Sequence, residues 1–130
     1  MRGVTVVDRD DEDHSVANIR DVVLLAQRLS SVPFMWRFEK VDGTGDIGLE
    51  VLWKSEAQNQ PLSTDVLVAA LAKVNQLFDG YVFGAGDWGV KIRIVDSGEL
   101  DVFSENDRMM ECLASHFSAA KVLPATENGG

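Results

Sequence analysis

Cys112 and His116 stand four residues apart, so a helix through them sets thiol and imidazole on one face, where the pair could serve as nucleophile and base or as half of a zinc site. Either use needs more residues of the same kind, and the sequence holds one cysteine and two histidines, the other being His14. Packing at the edge of the core is therefore the expectation for this pair. Asp8, Asp10, Asp11, Glu12, Asp13 and His14 form a run of the oxygen ligands that hard cations prefer. The run lacks the turn glycine and the distant bidentate glutamate of a calcium loop, so it reads as a solvated connection and no metal is expected. Gly84, Gly86 and Gly89, in "GAGDWG", match the spacing G-x-G-x-x-G that cradles phosphates.

A phosphate cradle of the dinucleotide kind needs a strand before the glycines and a helix N-terminus after them, because free N–H groups and the helix dipole hold the anion. "VKIRIV" follows instead, with the alternation of a strand, and Asp87 would repel a phosphate. With an aromatic before its third glycine and strands on both sides, the segment resembles the protein-kinase glycine loop. That resemblance spans fewer than a dozen residues, and the lysine, H-R-D and D-F-G motifs that should accompany it are absent. The expectation is a hairpin loop whose glycines permit positive φ, with Trp88 folded onto the sheet or exposed as a contact residue, and with no cofactor. The final "LPATENGG" resembles the L-P-x-T-G wall-sorting signal, but Glu127 stands at the required glycine. Its closing Gly129-Gly130 resembles the end of ubiquitin-like modifiers, whose β-grasp has no place for a helix after the last strand. A mobile tail is the simpler expectation.

At 130 residues one domain is expected, long enough to bury a substantial core. Twelve Lys and Arg against 21 Asp and Glu give a formal net charge of -9, which opposes nucleic acid and anionic lipid and suits a basic protein partner. A single cysteine excludes an intramolecular disulfide and points to a reducing, cytoplasmic home. The apolar part of "MRGVTVVDRDDEDHS" is shorter than a leader peptide's core, and nothing approaches the roughly 20 apolar residues of a membrane span.

The elements that must position these residues follow from periodicity. "VTVV" (4–7) suits a short strand within an acidic N-terminal segment, 1–14. From a cap at Ser15, Ile19, Val22, Val23, Ala26 and Leu29 recur at helical steps and end before Pro33. Phe34, Trp36 and Phe38 alternate with Met35, Arg37 and Glu39, as a half-buried strand requires. Ile47, Leu49, Val51 and Trp53 alternate in the same way, which predicts a second strand and a hairpin across the glycine turn at 42–46. "VLVAALAKVNQLF" (66–78) predicts a helix capped by Ser63, Thr64 or Asp65 and stopped at Asp79-Gly80, after which "YVF" begins a strand. Val90, Ile92 and Ile94 mark the next strand and "ELDVFS" another. A final helix runs from about Asn106 with Met109, Met110, Leu113, Ala114, Phe117 and Ala120 on its apolar face. The expected fold is α+β: a mainly antiparallel sheet of about four to five strands with two to three helices on one face, in the order α-β-β-α-β-β-β-α. The domain spans 15–122, and 123–130 form the tail.

No catalytic constellation emerges. The leading expectation is a small acidic protein-binding module, such as an inhibitor or immunity protein that neutralises a basic toxin or nuclease by docking on it. Its expected contacts are Asp87 and Trp88 in the glycine loop and Glu99, Asp101, Phe103, Glu105, Asp107 and Glu111 further on, where acids are dense against Arg108 alone. The alternative is a small enzyme or ligand sensor assembled from dispersed residues, with Tyr81, Asp87, Cys112 and His116 as first candidates. A third expectation, homodimerisation through the apolar helices, predicts a stable oligomer.

Overall fold

The computed structural model describes residues 2–7, 15–96, 99–116 and 121–122. The elements in chain order are β1 (Arg2–Val7), α1 (Ser15–Leu29), β2 (Met35–Thr44), α2 (Asp46–Gln58), β3 (Leu62–Ser63), α3 (Thr64–Leu71), β4 (Gln76–Ala85), β5 (Gly89–Asp96), β6 (Glu99–Ser104), α4 (Asp107–His116) and β7 (Lys121–Val122). They build one sheet in the order β3-β2-β4-β5-β6-β1-β7, and every neighbouring pair is antiparallel. The α+β class, the antiparallel sheet and the helices on one face are as expected. Five strands have six residues or more, and the two-residue β3 and β7 extend the edges.

Alternation sorts each long strand into a face that meets the helices and a face that does not. The register sets Trp36, Gly84, Val90 and Ser104 in one inner row and Phe38, Val82, Ile92 and Val102 in the next. These residues are buried. Helix α1 brings Ile19, Val22, Val23 and Ala26 onto this face, α3 brings Leu67, Ala70 and Leu71, and α4 brings Met109, Met110 and Leu113. Trp36 is fully buried, and its indole N–H donates to Thr64 Oγ1 at 3.0 Å. Thr64 in turn donates to Gln27 Oε1, which also accepts from the Phe34 amide, so one polar chain joins α3, α1 and the residue before β2 at the margin of the core.

Two expectations are corrected. The segment 47–54 is not the second strand of a hairpin but the body of α2, a fourth helix. Its buried residues are Gly48, Leu49, Leu52 and Ser55, a helical stripe, whereas Ile47, Val51 and Trp53 from the supposed strand are exposed. The helix stands against the edge of β2, where the Trp53 indole donates to Val41 O at 2.7 Å and Glu56 accepts from the Lys40 amide. It thereby occupies an edge that would otherwise offer unpaired backbone groups. The second correction concerns 66–78: α3 ends at Leu71, and β4 begins at Gln76, where Gln76 and Leu77 already pair with Thr44 and Gly43 of β2. Asp79-Gly80 does not stop a helix. It lies within β4, where Gly80 takes φ +123° and an added Cβ would lie 2.5 Å from Val41 Cα, beside the irregular pairing of Asp79 with Asp42. Ser63 is the cap that α3 uses, accepting from the Val66 amide. Among the described residues no helix is long and apolar enough to cross a membrane.

Candidate binding surfaces

The "GAGDWG" segment is the β4–β5 turn, and β5 begins at Gly89 where a phosphate cradle would need a helix. None of Gly84, Gly86 and Gly89 takes positive φ, contrary to expectation. Two of them are required for room. A Cβ on Gly84 would lie 2.4 Å from the Trp36 ring, and one on Gly86 would lie 2.5 Å from the Phe34 ring. The turn is a clasp. Asp87 Oδ2 accepts from the Ser31 amide and from the Ser31 hydroxyl, each at 2.7 Å, and the Asp87 amide donates to Ser30 Oγ at 3.3 Å. Those donors favour the ionised carboxylate and hold its pKa below the ordinary value, the Ser31 hydroxyl contributing most. Trp88 is half-buried and meets Phe34 edge-on at 5.0 Å, and Phe34 stacks on Trp36 at 5.2 Å. The acid and the tryptophan of the loop therefore fasten the hairpin tip to the end of α1, while Asp87 remains at the surface.

Of the acids grouped further on, Glu105, Asp107 and Glu111 are exposed. They sit at the junction of β6 and α4, which is built tightly: Ser104 Oγ donates to Gly89 O at 2.6 Å and accepts from the Asn106 amide, and Asn106 Oδ1 caps α4 by accepting from the Met109 amide. Met109, Met110 and Leu113 fix the helix to the core, so Asp107, Arg108 and Glu111 stand on its exposed side. Asp101 and Phe103 lie elsewhere. Both point to the face of the sheet away from the helices and are buried there, Asp101 paired with Arg93 and Phe103 beneath the Lys91 ammonium at 5.9 Å. Glu99 begins β6 opposite Asp96, and its side chain is outside the described residues. Cys112 is half-buried in α4 beside a shallow depression of about 390 Å³ that Arg28, Glu111 and Ser115 also line. The side chain of His116 and the run Asp8 to His14 lie outside the described residues, as does the C-terminal tail. Among the described residues no three acids, histidines or cysteines converge to hold a metal ion.

The sheet face away from the helices brings Tyr81, Asp101 and Phe103 together with residues that sequence reasoning did not select, Arg37, Phe83, Lys91 and Arg93. Pairing lines up Arg37, Phe83, Lys91 and Phe103 in one cross-strand row and Glu39, Tyr81, Arg93 and Asp101 in the next. The Arg37 guanidinium lies 5.5 Å from the Phe83 ring centroid and the Lys91 ammonium 5.3 Å from that of Tyr81, while Tyr81 and Phe83 stack on each other. The next row shrinks abruptly to Met35, Ala85 and Gly89. A groove of about 400 Å³ opens where side chains become small, walled by Met35, Pro61, Phe83 and the two cations Arg37 and Lys91. The only sequence signal for it was parity: Met35, Arg37 and Lys91 occupy the outward positions of two alternating strands. Family models, curated proteins and solved structures were all compared with the chain, and none matches.

Proposed function

We propose that the protein is a small acidic binding module that docks on a basic surface of a partner protein, in the manner of an inhibitor or immunity protein acting in the cytoplasm. The observation that carries the reading is the exposed acid set Glu105, Asp107 and Glu111 on the capped, core-anchored junction of β6 and α4, in a chain of net charge -9. Long-range attraction raises the encounter rate with a cationic partner, and a rigid helix loses little conformational freedom on docking. Asp87 and Trp88 serve this reading only as far as their clasp leaves them at the surface. The test is capture of partners from the source cell by the full chain at low and high salt, beside the double charge reversal Glu105→Lys, Glu111→Lys. A stoichiometric basic protein, released by salt and lost with the reversal, is the expected result. Retention of the same protein by the charge-reversed chain would overturn the reading, as would turnover of a small molecule with no protein captured.

A further inference from the structure

We infer that the groove between β2, β4 and β5, on the sheet face away from the helices, binds a small amphipathic carboxylate, its apolar body over Ala85 and Gly89 and its anionic end at Arg37. The inference does not rest on the acidic junction, although Ser104 of that junction donates to the Gly89 carbonyl.

Three observations converge. The groove is a depression of about 400 Å³, within the size range of small-ligand pockets, and it exists because a row of large side chains gives way to Ala85 and Gly89. Its apolar walls, Met35, Pro61 and Phe83, can cover a flat ring or a short alkyl chain. Arg37 stands beside Phe83 in the same cross-strand row, while Lys91 on the other side of Phe83 is engaged over the Tyr81 and Phe103 rings. The Arg37 guanidinium lies 5.5 Å from the Phe83 ring centroid and lines the groove, and its planar fork is the group suited to a carboxylate there. A singly charged head is favoured over a doubly charged phosphate, because the chain's own charge of -9 repels each added negative charge.

Gly89 supplies a clean test, since a Cβ there would meet nothing nearer than Gly84 O at 3.8 Å and Gly89 does not take positive φ. Gly89→Val therefore puts bulk into the groove from a Cβ position that has room. Amide NMR spectra of the full chain are recorded during titration with 2-naphthoate, with decanoate, and with 2-naphthalenemethanol as the uncharged control. The expected result is saturable binding of a carboxylate, with shifts concentrated at residues 35–37 and 83–91. Affinity should fall about tenfold in Arg37→Met, the effect of losing one charge-assisted hydrogen-bond pair. Binding should disappear in Gly89→Val while its spectrum stays folded. If Gly89→Val does not fold, Arg37→Met decides alone. The inference is overturned if neither carboxylate binds, if shifts map elsewhere, if Arg37→Met leaves affinity unchanged, or if the alcohol binds as tightly as 2-naphthoate.

Discussion

Asp87 shows how a residue chosen for one kind of contact can be engaged in another. Its carboxylate accepts from the amide and hydroxyl of Ser31, two donors supplied by a segment far away in sequence, and these hold its pKa below the ordinary value. The group is deprotonated more readily in the folded chain than in the unfolded one, so it stabilises the fold above the ordinary carboxylate range. That contribution is lost as pH falls through the lowered folded value. Asp87→Ala should accordingly lower the Tm by a few degrees at neutral pH. In scans at successively lower pH the gap between variant and parent should close below the ordinary carboxylate range, and a gap independent of pH would exclude the ionised clasp. Sequence alone could mark Asp87 and Trp88 as a polar and an aromatic residue in a turn. It could not show that Ser31 and Phe34 would meet them, because those contacts exist only once α1 and the β4–β5 hairpin are packed together.

Helix α2 is where local pattern misled, and the reason is instructive. Residues 47 to 53 satisfy a two-residue alternation of apolar side chains, yet Gly48, Leu49, Leu52 and Ser55 stand at helical spacing over 48 to 55, and both periods fit so short a segment. Tertiary packing chose the helix. Gly48 comes so close to α3 that a Cβ would lie 2.5 Å from Ala70 O and 2.6 Å from Val74 Cγ2, an approach a strand at this position would have no use for. Gly48→Ala should therefore destabilise the chain by about 1–3 kcal/mol through overpacking, although alanine is the better helix former by about 1 kcal/mol. Urea unfolding of the variant measures this, and a neutral or stabilising result would mean that α2 and α3 can separate without loss. By contrast α1, β2, β5 and α4 were legible. Each has one dominant period over a long enough run, and the structure buries their apolar stripes from Ile19 to Ala26, from Val90 to Ile94 and at Met109, Met110 and Leu113, while the side chains of Ala114, Phe117 and Ala120 lie outside the described residues. The beginning of β4 was hidden for the opposite reason: apolar spacing continues past Leu71 as if the helix did, and only pairing of Gln76 and Leu77 with β2 draws this stretch into the sheet.

At the scale of the molecule, a net charge of -9 on a chain of this size sets acids in mutual repulsion, and Arg93 relieves it locally by pairing with Asp101 on the sheet face away from the helices. Adding sodium chloride from low to moderate concentration at neutral pH should raise the Tm by screening that repulsion, and a monotonic fall would show that short-range ion pairs outweigh it. The sequence by itself determined the fold class, the charge, and which side of each clearly periodic strand or helix turns inward, because burial follows a local period of 2 or 3.6 residues. It also determined that the glycine loop joins two strands, since the period after it is that of a strand. Tertiary structure alone decided the helix at 46–58, the clasp at Asp87, and the row that sets Arg37 beside Phe83 and Lys91. Parity tells which residues point outward from one strand. Which outward residues become neighbours depends on strand order and register, and those are properties of the assembled sheet.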